Sequence, residues 1–183
     1  LHSVETDQGV PFVIGDLTRG PSLADRIKKL APFSIPVSVG TAISILHALD
    51  AVHRTGLIHG DLNPSHLAVM ADGDVRLQMT GAWESYSGSP TAGVVVLPGM
   101  APYLAPEVSG GAMPSTSSDV YAVGVLLFEL LTGRVPYYAE TPLAMALQHS
   151  TMPTPSVRSV NSAVPSVLDE IVKKAMSKDP RSR

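Results

Sequence analysis

Between Val120 and Leu131 the chain reads Val-Tyr-Ala-Val-Gly-Val-Leu-Leu-Phe-Glu-Leu-Leu, apolar all round a helix apart from Glu129. A helix with no polar face belongs inside a domain, so other elements must surround it. It is also too short to cross a bilayer, which takes about 20 apolar residues. Ser118 or Asp119 opens this helix, Gly133 closes it, and Pro136 forbids its continuation. The rest of the sequence has to supply the cover. At 183 residues the chain suggests one domain, able to bury roughly 70% of the surface its unfolded form exposes.

The covering elements can be read in order. Leu1 to Val4 and Val10 to Ile14 are short apolar runs around Asp7-Gln8-Gly9, a hairpin signal. Leu17 to Pro21 is a breaker cluster, and Ser22 caps a short helix from Leu23 to Leu30. Ser34 to Arg54 places Val39, Ala42, Ile43, Leu46, Leu49 and Val52 at helical spacing, with Gly56 as the stop. Leu67 to Val69 and Val75 to Leu77 read as strands around Ala71-Asp72-Gly73-Asp74. Gly81 to Pro98 reads as an extended loop. Pro142 opens a helix to about His149, and Ser166 to Ser177 is a last amphipathic helix. Tyr137 and Tyr138 are expected to pack at a turn. The fold class is therefore mainly α with short β-hairpins.

Composition removes several kinds of function. The net charge is -3 with a pI near 6.0, which gives no electrostatic footprint for nucleic acid or an anionic membrane. The sequence holds no cysteine, so disulfides, thiolate metal sites and cysteine nucleophiles are excluded. No stretch reads as a membrane span or as a secretory signal. A cytoplasmic setting is expected, either as a soluble protein or as the cytoplasmic part of a membrane protein. The two ends read as cuts from a larger protein.

Five segments then narrow the reading. His59-Gly60-Asp61-Leu62-Asn63-Pro64-Ser65-His66 resembles the loop H-R-D-L-K-P-x-N. Met79-Thr80-Gly81 falls where a D-F-G triplet belongs, and Gly99 with Tyr103-Leu104-Ala105-Pro106-Glu107 resembles G-T-x-x-Y-x-A-P-E. Ser118 to Val125 resembles the D-V-Y-S-L-G-V stretch, continued by Leu130 to Tyr137, and Asp179 to Arg183 resembles D-P-x-x-R. In this order and spacing they resemble the bacterial Ser/Thr protein kinases, the Hanks-type family. The resemblance implies a kinase-like large, C-terminal lobe over 21–183, with the end of the small lobe and the hinge in 1–20. Gly15, Asp16 and Leu17 would flank adenine at the hinge, and Ala68 would form its floor. The Gly-rich loop, strand lysine and partner glutamate of the family would lie before Leu1.

The same resemblance implies that the chemistry is degenerate. The two family positions that hold Mg²⁺ are His66 and Met79 here. Mg²⁺ requires hard oxygen ligands, which an imidazole and a thioether do not provide. Asn63 replaces a lysine that contacts the moving phosphate, Met100 replaces a threonine, Gly60 an arginine, and Thr80 a phenylalanine. Asp61 keeps the position of the catalytic base, either as a relic or as an acceptor that fixes its loop. His66 reads as a hydrogen-bonded histidine rather than a zinc ligand, since no further ligands sit at suitable spacing. His59 is expected to pack in the core and bond a backbone carbonyl. Asp119 is expected to brace the catalytic loop, and Glu107 to pair with Arg183.

These expectations describe a pseudokinase that acts as a protein-interaction or regulatory scaffold. No cofactor is expected, with metal-free ATP binding left open, and no nucleic acid. The partner is expected to be a protein, with an active kinase or its substrate as candidates. The alternatives are a weak or unconventional Ser/Thr kinase, with Glu84 as a displaced metal ligand, and an ATP sensor without phosphotransfer. Ser85, Ser87, Ser89 and Thr91 are candidate phospho-acceptors or simply a solvated polar loop.

Overall fold

In a computed structural model that describes residues 3–7, 10–14, 20–78 and 99–183, the described residues form two hairpins and six α-helices. Strands β1 (Ser3–Asp7) and β2 (Val10–Ile14) pair antiparallel, with Ser3 opposite Ile14 and Asp7 opposite Val10. Helix α1 (Leu23–Leu30) begins at a capping box. The Asp25 N–H donates to the Ser22 hydroxyl at 3.1 Å, and the Ser22 N–H to the Asp25 carboxylate at 3.3 Å. Strands β3 (Leu67–Val69) and β4 (Val75–Leu77) form the second hairpin, and every residue of β3 is buried.

Helix α2 (Ile35–His53) turns Ser38, Ala42, Ile45 and Leu49 inward, a single row at helical spacing. It packs on α4 (Thr116–Thr132) and β4. Among the described residues α2 is the one helix long and apolar enough to cross a membrane, with a mean hydropathy of 1.6 over its best window. Its buried row nevertheless packs within the lobe. Val37, Ile43 and Leu46 remain exposed on its other side.

Helix α4 is the centre of the molecule, as the apolar run from Val120 to Leu131 requires. Twelve of its residues are buried, from Ser118 to Leu131. Burying one leucine stabilises by about 2 kcal/mol, so this helix anchors the core. It rests against α2 on one side and α6 (Ser166–Ala175) on another. Gly124 allows the close approach to α6, because a Cβ there would lie 2.9 Å from both Ala175 Cβ and Met176 Cγ. Gly133 ends the helix at φ 77°, a left-handed conformation that costs glycine nothing. Helices α3 (Pro106–Ser109) and α5 (Pro142–Thr151) pack against each other beside it.

Several boundaries differ from expectation. Helix α4 starts at Thr116, before Ser118, because Ser115 caps it and Ser118 closes the box as its third residue. Helix α5 runs two residues past His149, and α6 stops at Ala175, short of Ser177. Tyr137 is buried, but Tyr138 is 77% exposed, so only the first of the two packs. The expected loop from Gly81 to Pro98 lies outside the described residues.

Candidate functional site at the catalytic loop

The segment His59 to His66 is held from beneath by α4. The Asp119 carboxylate is 1% exposed and receives the His59 N–H at 3.0 Å and the Gly60 N–H at 2.9 Å. His53 Nε2, at the end of α2, lies 2.8 Å from the same carboxylate. A carboxylate can only accept, so Nε2 carries the proton. A buried charge thus meets three donors, which offsets the cost of its desolvation. Gly60 itself has φ 75°, so the loop here takes a shape that a side chain would strain.

Within the loop, Asp61, Asn63 and His66 form one network. The Ser65 N–H donates to Asn63 Oδ1 at 3.0 Å, which fixes the orientation of the amide. Asn63 Nδ2 therefore faces Asp61, donating to Oδ1 at 2.9 Å and approaching its carbonyl at 3.3 Å. His66 Nδ1 lies 2.9 Å from the same carbonyl and 3.0 Å from Asn63 Nδ2. Nδ1 donates to the carbonyl when it holds the ring proton and accepts from the amide when it does not. Asp61 and Asn63 are buried, and His66 is half-buried.

His59 is buried beside His66, its ring centroid 6.3 Å away. The expected carbonyl bond is not made among the described residues, and both ring nitrogens lack a partner there. Burial pushes the ring below the usual histidine range, against the pull of Asp119 and Asp61. The Gln78 carbonyl also favours the charged form, without the geometry of a hydrogen bond. Ala68 is fully buried in β3 and bridges to Ser22. The hollow between the catalytic loop and the stretch from Met100 to Ala105 has room for about 10 Å³, close to one water molecule.

Farther along, Arg183 closes the lobe. Its guanidinium donates to both Glu107 oxygens, at 2.7 Å from Nη2, and to the Ser117, Ser177 and Lys178 carbonyls. It also sits 4.8 Å over the Tyr121 ring. Of the remaining sequence candidates, Gly15, Asp16, Leu17, Met79 and Glu84 lie outside the described residues, as do Ser85, Ser87, Ser89 and Thr91.

Comparison with known proteins fits this arrangement. The protein kinase domain family matches residues 1–183. The chain belongs to the protein kinase family. Its relatives are bacterial Ser/Thr kinases. It is 33% identical to the probable serine/threonine-protein kinase PknB of Lactococcus lactis, over 94% of this chain and 27% of that protein. It is likewise 33% identical to the serine/threonine-protein kinase PknL of Mycobacterium tuberculosis, over 94% of this chain and 43% of that protein. The serine/threonine-protein kinase PrkC of Bacillus subtilis is 27% identical over the whole chain and 28% of its own length. The chain thus spans less than half the length of the relatives it matches.

Within this kinase lobe, His53 is a site residue that the sequence reading passed over. A lone histidine near a helix C-terminus carries no signal until the fold sets it against Asp119. The nucleotide metal that kinases use does not fit the described loop. Where the resemblance places a metal ligand, His66 offers an imidazole whose Nδ1 is engaged with Asp61 and Asn63, and the Asn63 oxygen accepts from the Ser65 N–H. Among the described residues no three His, Asp or Glu side chains converge as a metal site.

Proposed function

We propose that this lobe belongs to a pseudokinase, a kinase fold kept for binding a protein partner in the cytoplasm rather than for phosphotransfer. The observation that carries the reading is the contact of Asn63 with Asp61. A neutral amide donates to the carboxylate where the family places a lysine, so the base position is held without any positive charge for a phosphate. Phosphoryl transfer depends on positioning and charge neutralisation, and a base alone contributes little of either. The positive φ of Gly60 agrees, because the arginine of the family would be strained there. The Asp119 clamp and the Glu107–Arg183 pair maintain the fold while the loop loses its charges.

The test is a thermal-shift titration of the full-length protein with ATP, in Mg²⁺ and again in EDTA, alongside transfer of labelled γ-phosphate to itself and to a generic basic protein. The expected result is no transfer and no Mg²⁺-dependent shift. A ligand at a hundred times its Kd adds about 2.7 kcal/mol, so tight binding would be plain. A shift in EDTA without transfer would make the protein a metal-free ATP sensor. Mg²⁺-dependent transfer would overturn the proposal in favour of an unconventional Ser/Thr kinase.

A further inference from the structure

At the end of α4 far from the catalytic loop, an open groove of about 460 Å³ is lined by Phe128, Arg134, Val135, Pro136, Tyr138, Pro155, Ser159 and Val160. Thr132 lies about 20 Å along the helix axis from Asp119, so the groove is separate from the clamp and from Asp61. Its volume lies within the roughly 300–1,000 Å³ of sites that hold a ligand. From the physical character of its walls we propose that this groove docks an acidic, proline-rich peptide segment in the extended polyproline conformation.

Three observations lead there. Tyr138 holds its ring 77% exposed at the rim although its neighbour Tyr137 is buried. An aromatic left in water beside two prolines and two valines forms the flat, rigid ridge against which proline rings pack. Second, half of the lining residues have no backbone N–H free for strand pairing. Pro136 and Pro155 have no N–H, and the Ser159 and Val160 N–H groups are already bonded to the Ser156 and Val157 carbonyls. A strand ligand would meet interrupted pairing along this wall, whereas a polyproline segment arrives pre-ordered, with carbonyls that accept from side chains. The available donors are the Tyr138 hydroxyl and the Arg134 guanidinium. Third, Arg134 is the only charged lining residue, and its side chain makes no ion pair or hydrogen bond among the described residues. Thr132 Oγ1 holds the Arg134 backbone, accepting its N–H at 3.3 Å, and its single proton is shared between the Phe128 carbonyl at 2.8 Å and the Arg134 carbonyl at 2.9 Å. An unpaired guanidinium on a pinned backbone selects a carboxylate, because a planar fork matches it with two bonds.

The inference does not depend on the loss of phosphotransfer, since a docking groove serves an active kinase as well. The experiment uses full-length protein and a fluorescein-labelled peptide of Pro-Pro-Leu repeats ending in two aspartates, with a twin ending in two lysines, read by fluorescence polarisation. The aspartate peptide is expected to bind in the tens of micromolar and the lysine twin at least tenfold more weakly. Arg134→Glu is expected to reverse that order, and Tyr138→Ala to weaken both peptides about tenfold. Both side chains are exposed, and an unchanged melting temperature confirms that the variants fold. Failure of the aspartate peptide to bind, equal binding of the twins, or binding that neither substitution alters would each overturn the proposal.

Discussion

The Tyr103 hydroxyl donates to the Glu129 carboxylate at 2.7 Å, joining the stretch after Gly99 to the one acid in the apolar run from Val120 to Leu131 of α4. This bond explains why an otherwise apolar run tolerates a carboxylate. Burial pushes Glu129 above the usual carboxylate range, and the Tyr103 bond pulls it partly back. Tyr103→Phe removes the donor and leaves a buried carboxyl oxygen without its partner, at a cost of about 1–3 kcal/mol. Because the folded pKa of Glu129 is raised, the folded state holds the proton more tightly, and the penalty shrinks as pH falls. Urea unfolding of wild type and Tyr103→Phe at pH 5 and pH 8 should show the larger deficit at pH 8. Equal deficits would mean that Glu129 plays no part.

Gly124 is a second position where two effects compete. An alanine there gains about 1 kcal/mol of helix propensity, but its Cβ would meet Ala175 Cβ and Met176 Cγ at 2.9 Å. Met176 can swing aside, whereas Ala175 moves only with the backbone of α6. Overpacking of this kind costs about 1–3 kcal/mol, so we expect Gly124→Ala to destabilise. A melting temperature equal to or above that of wild type would show that α6 yields.

The His149 side chain is fully buried, with Nδ1 2.8 Å from the Tyr121 hydroxyl and the ring 4.7 Å from that of Tyr137. Burial, aided by the nearby Lys178 charge and opposed by the Pro102 carbonyl, pushes its pKa down to about 4. The unfolded value is near 6.5. Between the two, the unfolded chain binds a proton that the folded one refuses. Stability from this group is therefore complete above about pH 6.5 and falls as pH drops toward 4, by on the order of 3 kcal/mol. Lys178 reinforces the effect from close by, donating to the Tyr137 hydroxyl at 2.9 Å and the His149 carbonyl at 2.6 Å. Denaturant melts from pH 7.5 to 4.5 should show a shallower decline for His149→Gln than for wild type. Parallel declines would assign the acid sensitivity to other groups.

How much of this was legible in the sequence depended on whether the signal was local. Ser22 with Asp25, Gly133 after Thr132 and the Asp72-Gly73 turn each encode their structure within a few residues, and their elements fall where expected. The start of α4 was misplaced because Asp119 stands out in the motif, whereas the cap is a plain serine four residues earlier. Contacts without a local pattern stayed hidden. His53 meets Asp119 across 66 positions, Tyr121 meets His149 across 28, and nothing near either histidine announces the partner. The unmet nitrogens of His59 were hidden for the same reason. The Glu107–Arg183 pair was expected only because the family resemblance supplied both ends.

That last pair has a kinetic consequence. Its residues are 76 positions apart, and closing a loop of that length costs about 4 kcal/mol of chain entropy before any bond forms. Such a contact belongs to the late, downhill side of the folding barrier, after α4 and its neighbours have condensed. Loosening it with Arg183→Lys should therefore quicken unfolding by one to two decades and leave the refolding rate nearly unchanged. In a chevron plot only the unfolding arm would move. The clasp acts as a latch on the lifetime of the folded lobe, with little influence on how fast the lobe is reached.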